Sequence, residues 1–241
     1  MRRIFGLHVA WYPAPGTLGR QLQDFLRQER INLVLDVGAY HGDYVRLLRQ
    51  EGHYRGRIVS FEPTADSFQT LSKAMQGDSN WRGYHMGLSD QDGDAEFHTF
   101  GNGHFNSILP LRQDAATEFG ITTRARESVV LRRLDSLWSE LTEGIAEPRV
   151  FLKIDTQGHD LAVMRGAAGI RRYLIGIQSE LSVIPVYETM PTIGEALTFY
   201  NQAGFSPLNF YPIASAAYQW LPTEFDVVFR QKAERDSRQV A

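Results

Sequence analysis

The chain predicts an α/β domain, a mostly parallel seven-stranded sheet with helices on both faces and an antiparallel strand pair at its C-terminal end. Three observations carry this expectation. Apolar runs ending in a carboxylate recur at 33–36 (LVLD), 57–62 (RIVSFE) and 150–155 (VFLKID), the pattern of parallel strands buried on both faces. Segments of helical periodicity lie between such runs. Two further strand-like runs, Phe205–Tyr211 and Phe225–Arg230, close the chain with no helical pattern between them.

Residues 1–30 read as an extension followed by a helix. The start, MRRIFGLHVAWYPAPG, has an apolar patch that His8 interrupts and Pro13 ends, which makes a poor signal peptide. Trp11 and Tyr12 could cap a site or pack on the sheet. Leu18, Leu22, Phe25 and Leu26 repeat at helical spacing and predict a helix over Thr17–Arg30. The main domain then spans 31–230. Its first three strands are Ile31–Asp36, Arg57–Glu62 and Tyr84–Leu88, with a helix at Ala65–Met75. Ala95–Phe100 is another strand candidate. Gly101–Arg126 is polar, glycine-rich at its start and too long for an ordinary connection, so it reads as a lid or substrate loop. Strand character resumes at Val129–Leu134 and Val150–Asp155, followed by a helix at His159–Ala168, a strand at Gly176–Leu181 and a helix at Glu195–Gln202. The polar residues 231–241 are expected to fray.

Composition narrows the function classes. The 241 residues suit one large domain of roughly 200 residues. With a net charge of −3 and no long Lys/Arg run, nucleic acid is not an expected partner. The absence of cysteine removes disulfides, thiol nucleophiles and cysteine-bound zinc, and is compatible with the cytoplasm, the expected location. No run of about 18 apolar residues is present to span a bilayer.

Ligands of open α/β sheets sit beyond the carboxyl ends of the strands. Gly38 and Gly42 fall just after the first strand, where the backbone can bend sharply and approach a ligand. Glu62, at the tip of the second strand, suits the two hydroxyls of a ribose far better than a phosphate. The spacing is GxxxG rather than the GxGxxG of dinucleotide sites, and Asp36 stands immediately before the loop. A carboxylate there favours a cationic, phosphate-free cofactor with an amino acid tail, and S-adenosylmethionine fits that description.

With DVGAYHG (36–42), FEP (61–63), GLSD (87–90), RLDSL (133–137) and LKIDTQGHD (152–160), the chain resembles the FkbM-type S-adenosylmethionine-dependent methyltransferases over roughly 34–181. The resemblance implies a Rossmann-like class I methyltransferase fold. It adds Ala39, Pro63, Ser89 and Asp90, which lie in those motifs, to the cofactor-binding set of Asp36, Gly38, Gly42 and Glu62. It also implies methyl transfer to a hydroxyl, on acceptors that include polyketides and the sugars of glycolipids and polysaccharides; the segment 177–190 tilts the expectation toward a sugar. Family members commonly carry Glu where this chain has Gln157, and an aromatic followed by Glu where it has His159 and Asp160.

A sugar hydroxyl is a weak nucleophile that gains from a base or a metal. Asp155 and Glu180, near the ends of two strands, and His159, one helical turn on, are the candidates for proton handling. Asp155 could equally cap the helix that follows, and Glu180 could serve a salt bridge. Asp155, Glu180 and a third ligand could hold Mg2+, although no compact ligand motif is present. In the insertion, His104, Asn106 and Ser107 offer a polar surface for the acceptor. Two other readings are a noncatalytic S-adenosylmethionine-binding protein, which Gln157 leaves open, and a nicotinamide-dependent oxidoreductase, which lacks GxGxxG. Oligomeric state is not legible.

Overall fold

The computed structural model describes residues 2–4, 7–9, 16–101, 103, 105–118, 120–214 and 222–232. The chain runs β1 (Arg2–Ile4), β2 (Leu7–Val9), α1 (Leu18–Gln28), β3 (Leu33–Val37), α2 (Asp43–Gln50), β4 (Arg57–Phe61), α3 (Ala65–Ala74), β5 (Trp81–Tyr84), β6 (Gly87–Leu88), β7 (Gly93–Phe100), α4 (Gln113–Glu118), β8 (Thr123–Arg132), α5 (Leu134–Leu141), β9 (Val150–Ile154), α6 (Asp160–Arg165), β10 (Leu174–Ser182), α7 (Ile193–Gln202), β11 (Phe205–Ala214) and β12 (Pro222–Gln231). Seven of these strands form the main sheet in the order β11-β12-β10-β9-β3-β4-β5. All neighbours are parallel except β12, which is antiparallel to both β10 and β11. The closing antiparallel pair therefore sits at one edge, as the sequence predicts.

Side-chain alternation along the strands sorts the core into two layers. Leu33, Leu35 and Val37 of β3 pack with Leu134 of α5, Val163 and Met164 of α6 and Tyr200 of α7. Val34, with Ile58 and Phe151 of its neighbours, packs on the other face against Leu22 and Phe25 of α1, Val45 and Leu48 of α2 and Leu71 of α3. Every residue of β3 and β9 is buried, which explains the near-continuous apolar runs. Helix starts are fixed locally. Thr17 caps α1 by accepting from Arg20 N, and Thr192 forms a reciprocal capping box with Glu195 on α7, each worth about 0.5–2 kcal/mol.

Several expected elements shift. The third main-sheet strand is Trp81–Tyr84 rather than Tyr84–Leu88, because the Trp81 indole donates to Ser60 Oγ (3.0 Å) and fixes that register. The chain then turns, and Gly87–Leu88 leaves to pair with β8. The candidates Ala95–Phe100 and Val129–Leu134 belong to a separate three-stranded sheet, β6-β8-β7, and Leu134 opens α5 instead of ending a strand. The insertion is shorter than 101–126, since β8 begins at Thr123, and it contains α4. It carries a small core of its own, in which Phe100 and Ala115 pack with Val186 and Tyr187 from the segment after β10. Helix α6 stops at Arg165, short of Ala168; a side chain on the next residue, Gly166, would place its Cβ 2.0 Å from Ser89 O. Trp11, Tyr12 and residues 233–241 lie outside the described residues. No described helix is long and apolar enough to cross a membrane.

Candidate active site

The strand order reverses between β3 and β9, the topological switch point at which open α/β sheets bind ligands. Val37 aligns with Phe61 on one side and Ile154 on the other, so the next residues, Gly38, Glu62 and Asp155, emerge together at the carboxyl edge. One row below, Asp36 aligns with Ser60 and Lys153. The two rows behave differently. Asp36 is fully buried; it accepts from Ser60 Oγ (3.0 Å) and its other oxygen lies 3.3 Å from Lys153 Nζ without hydrogen-bond geometry. It underlies the site rather than lining it.

Gly38 is required by its surroundings. Its φ is +73°, and a Cβ there would sit 1.8 Å from Asp155 O. Gly42 (φ +85°) opens α2, where a Cβ would meet Leu71 and Met75 at 3.0 Å; its role is in the turn and the packing below it. The loop between them separates two clefts. The first is lined by Glu62 and Pro63, by apolar Phe61, Leu88 and Phe97, by Gly103, Asn106 and Ile108 around the insertion, and by Asp155, Thr156 and Gln157. The second lies on the face carrying Lys153, Gln178 and Asp226, beside Ala39 and α2. Gly38, Tyr40 and Asp155 line both.

Glu62 is held in place by its own neighbours. Oε2 accepts from Tyr40 N (2.9 Å), and Oε1 accepts from Thr64 N (3.0 Å) and Thr64 Oγ1 (2.7 Å). Burial pushes its pKa up, and those donors oppose the rise. The result is an acceptor group of fixed orientation beside apolar side chains that could cover a flat base, an arrangement that fits an adenosine.

Asp155 is the more open carboxylate, its side chain 39% exposed. Gln157 Nε2 donates to Asp155 Oδ1 (3.1 Å) and to Glu180 Oε2 (2.7 Å), while Asp155 Oδ2 lies 3.5 Å from Lys153 Nζ. Burial, then the charges of Asp155 and Glu224, push the Glu180 pKa well up. Burial would push Lys153 down, but Asp155 and Asp36 hold its ammonium above the ordinary value. Asp155 does not cap α6. That turn is held by Asp160, which accepts from Thr156 N (3.0 Å) and from Ser179 Oγ (2.7 Å).

The remaining candidates separate. His159 stands at the start of α6, but its Nε2 faces Ser89 Oγ (2.9 Å) rather than Asp155, and burial lowers its pKa. Asp90 pairs with Arg165 (2.9 Å). Neither Ser89 nor Asp90 lines a cleft with Glu62. Asn106 lines the first cleft and accepts from Phe100 N (2.8 Å); Ser107 is buried and donates to Gln157 O (2.8 Å). His104 lies outside the described residues. Mg2+ finds no support, because among the described residues no group of three or more His, Cys, Asp or Glu is arranged to hold a metal, and the Gln157 amide stands between Asp155 and Glu180. Two participants were missed. Lys153 is signalled by a lone cation inside VFLKID, whereas Gln157 gives no sign in sequence of its bridging geometry at φ +52°.

The strand order and the motifs at its switch point are those of a Rossmann-like α/β domain. Residues 36–207 match the methyltransferase FkbM domain, and the chain belongs to that family. Among solved structures it is similar to the methyltransferase FkbM of Methylobacillus flagellatus KT (14% identity, 83% of this chain and 43% of that one, TM-score 0.49). It thus spans less than half of that protein's length. Others are a putative O-methyltransferase from Klebsiella pneumoniae (13% identity, 94% and 82%, TM-score 0.49) and the Burkholderia thailandensis 1,6-didemethyltoxoflavin-N1-methyltransferase with bound S-adenosylhomocysteine (12% identity, 89% and 78%, TM-score 0.46). No match occurs among curated protein sequences.

Proposed function

We propose that this protein is an S-adenosylmethionine-dependent O-methyltransferase acting on a hydroxyl of a small-molecule or glycolipid acceptor. The observation that carries the reading is the placement of Glu62 and Asp155 in one cleft at the switch point, on either side of Gly38. Glu62 would receive the ribose hydroxyls, Pro63, Leu88 and Phe97 would cover the base, and the Gly38 backbone would face the amino acid tail. When bound, S-adenosylmethionine supplies a sulfonium methyl whose C–S bond breaks as the acceptor oxygen bonds to it, leaving neutral S-adenosylhomocysteine and releasing the hydroxyl proton. Asp155 would take that proton, a role supported by its 39% exposed carboxylate on the wall of the cleft. Gln157 and Lys153 hold it in position from two sides. Much of the acceleration would come from alignment, because in-line geometry is worth more than the modest push of one base.

The test is mass spectrometry on candidate glycolipids, free glycosides and polyketides incubated with protein and S-adenosylmethionine. A product one CH2 heavier that is sensitive to loss of its free hydroxyl supports the reading. A product methylated on nitrogen or carbon only would replace it.

A further inference from the structure

Asp36 opens the loop motif DVGAYHG, yet it is fully buried, lines neither cleft and has no part in the methyl transfer described above. A carboxylate in such a place is costly unless its charge is answered. The answer is a polar row that crosses the sheet beneath the loop. The Trp81 indole of β5 donates to Ser60 Oγ of β4 (3.0 Å), and Ser60 Oγ donates to Asp36 Oδ2 of β3 (3.0 Å). Asp36 Oδ1 then faces Lys153 Nζ of β9 at 3.3 Å.

Lys153 is where this row meets the site. Its ammonium donates to Gly38 O (2.9 Å) and Val37 O (3.4 Å), lies 5.4 Å from the centre of the Tyr44 ring, and stands between two carboxylates. Asp155 Oδ2 is 3.5 Å away on the side opposite the buried row. The two acids differ in freedom, since Asp36 is locked by Ser60 while Asp155 is partly exposed and lines both clefts. Without Asp36, Asp155 would be left to pair with the ammonium by itself. A closer ion pair would hold the Asp155 carboxylate away from an acceptor and weaken it as a base.

The wider surroundings of Asp155 are acidic. Glu180 on β10, Glu224 and Asp226 on β12 and Asp160 on α6 all feel its charge, as does the Tyr187 phenol of the roof. Glu62 shares the first cleft with it, and on α2 Asp43 and Arg46 pair with each other in the second. Lys153 brings the positive charge that meets both Asp155 and Asp36. Burial pushes the Asp36 pKa up, and the Lys153 charge pulls against that rise.

We propose that Asp36 is a positioning residue for the methyl transfer: by sharing the Lys153 ammonium with Asp155, it keeps that cation on the Gly38 carbonyl and leaves the Asp155 carboxylate available to the acceptor. The proposal rests on the reading of Asp155 as the proton acceptor. It gives the first acid of the loop motif a task in the reaction without contact to either ligand.

Carbon-13 NMR of protein labelled at the aspartate carboxyls tests this without an acceptor, the Asp155 signal being assigned by its loss in Asp155→Asn. Asp36→Asn still accepts from Ser60 but removes a negative charge, so the Asp155 signal should titrate about one pH unit lower than in the wild type. Lys153→Met removes the cation, and the signal should titrate about one unit higher or more. Once Lys153 is gone the buried Asp36 should take up a proton, so adding Asp36→Asn to Lys153→Met should move the signal by less than about 0.3 unit further. That double variant also guards against misfolding, because it removes both charges of the buried pair instead of stranding one. The S-adenosylhomocysteine Kd, read by calorimetry, should stay within about twofold in Asp36→Asn. An unmoved signal in folded Asp36→Asn, or displacement in the same direction by both single variants, overturns the proposal. A loss of about tenfold in S-adenosylhomocysteine affinity in Asp36→Asn also overturns it, placing Asp36 in the cofactor site. Should the single variants not fold, a double variant titrating above the wild type supports the proposal and one at or below it overturns it. Failure of the underlying reading has a separate signature, methyl transfer as fast in Asp155→Asn as in the wild type.

Discussion

The floor and the roof of the candidate site are built on different principles. The floor is the carboxyl edge of β3, β4 and β9, where backbone register sets Gly38, Glu62 and Asp155 side by side and buried neighbours fix their side chains. The roof is two loop segments, around 101–122 and 183–190, that hold each other through Phe100, Ala115, Val186 and Tyr187 and touch the floor at Gln157. The sheet sets the backbone of the floor, while Gln157, which bonds Asp155, also takes contacts from the roof. The contrast teaches that chemistry is tied to sheet register here, while enclosure depends on a few polar contacts that can be weakened separately.

The largest expected effect comes from breaking the floor. Gly38→Ala forces a Cβ toward Asp155 O at a left-handed φ, so neighbouring strands must part. Urea unfolding should show a loss of roughly 2–4 kcal/mol, together with loss of S-adenosylhomocysteine binding. Next is Asp155→Asn, which removes the proposed base but not a helix cap, because Asp160 holds that turn. Single-turnover methyl transfer should fall by about 10²-fold or more with melting temperature and cofactor affinity nearly unchanged. A large drop in melting temperature would instead mark Asp155 as structural.

Smaller effects lie where floor and roof meet. Gln157→Glu replaces a donor shared by two carboxylates with a third carboxylate. Its folded pKa would be raised above that of the unfolded chain, so the variant is least impaired at low pH and loses stability as pH rises through the raised value. Thermal unfolding should show a deficit of about 1–3 kcal/mol at alkaline pH that shrinks under acid. Tyr187→Phe removes a hydroxyl placed 2.8 Å from Phe105 O and 3.2 Å from Gln157 Oε1. It should cost about 1 kcal/mol and speed amide exchange in the insertion while β3, β4 and β9 remain protected.

The same contrast governs what could be read from the sequence. Runs such as LVLDV and VFLKI announce buried parallel strands, because strands covered on both faces have no polar alternation to hide them. Glu62 was legible because it closes the second apolar run directly after Phe61, the last residue of β4. Asp36 looked equivalent, yet one more residue, Val37, separates it from the loop, and that single step turns it into the buried row with Ser60 and Lys153. The roof was legible only as length and polarity. Its contacts join residues far apart in sequence, such as Ser107 to Gln157 and Phe105 to Tyr187, and no local pattern encodes them. His159 misled for a related reason: helical spacing put it near Asp155, but its ring turns to Ser89.

The most direct test is calorimetric titration of the wild-type protein and Glu62→Gln with S-adenosylhomocysteine, with NAD as the competing ligand. The floor as described should bind S-adenosylhomocysteine and not NAD, and should lose about tenfold or more in affinity when position 62 no longer offers a carboxylate to both ribose hydroxyls. Equal affinity in the variant, or tighter binding of NAD to the wild type, would contradict the assignment of this strand edge as an S-adenosylmethionine site.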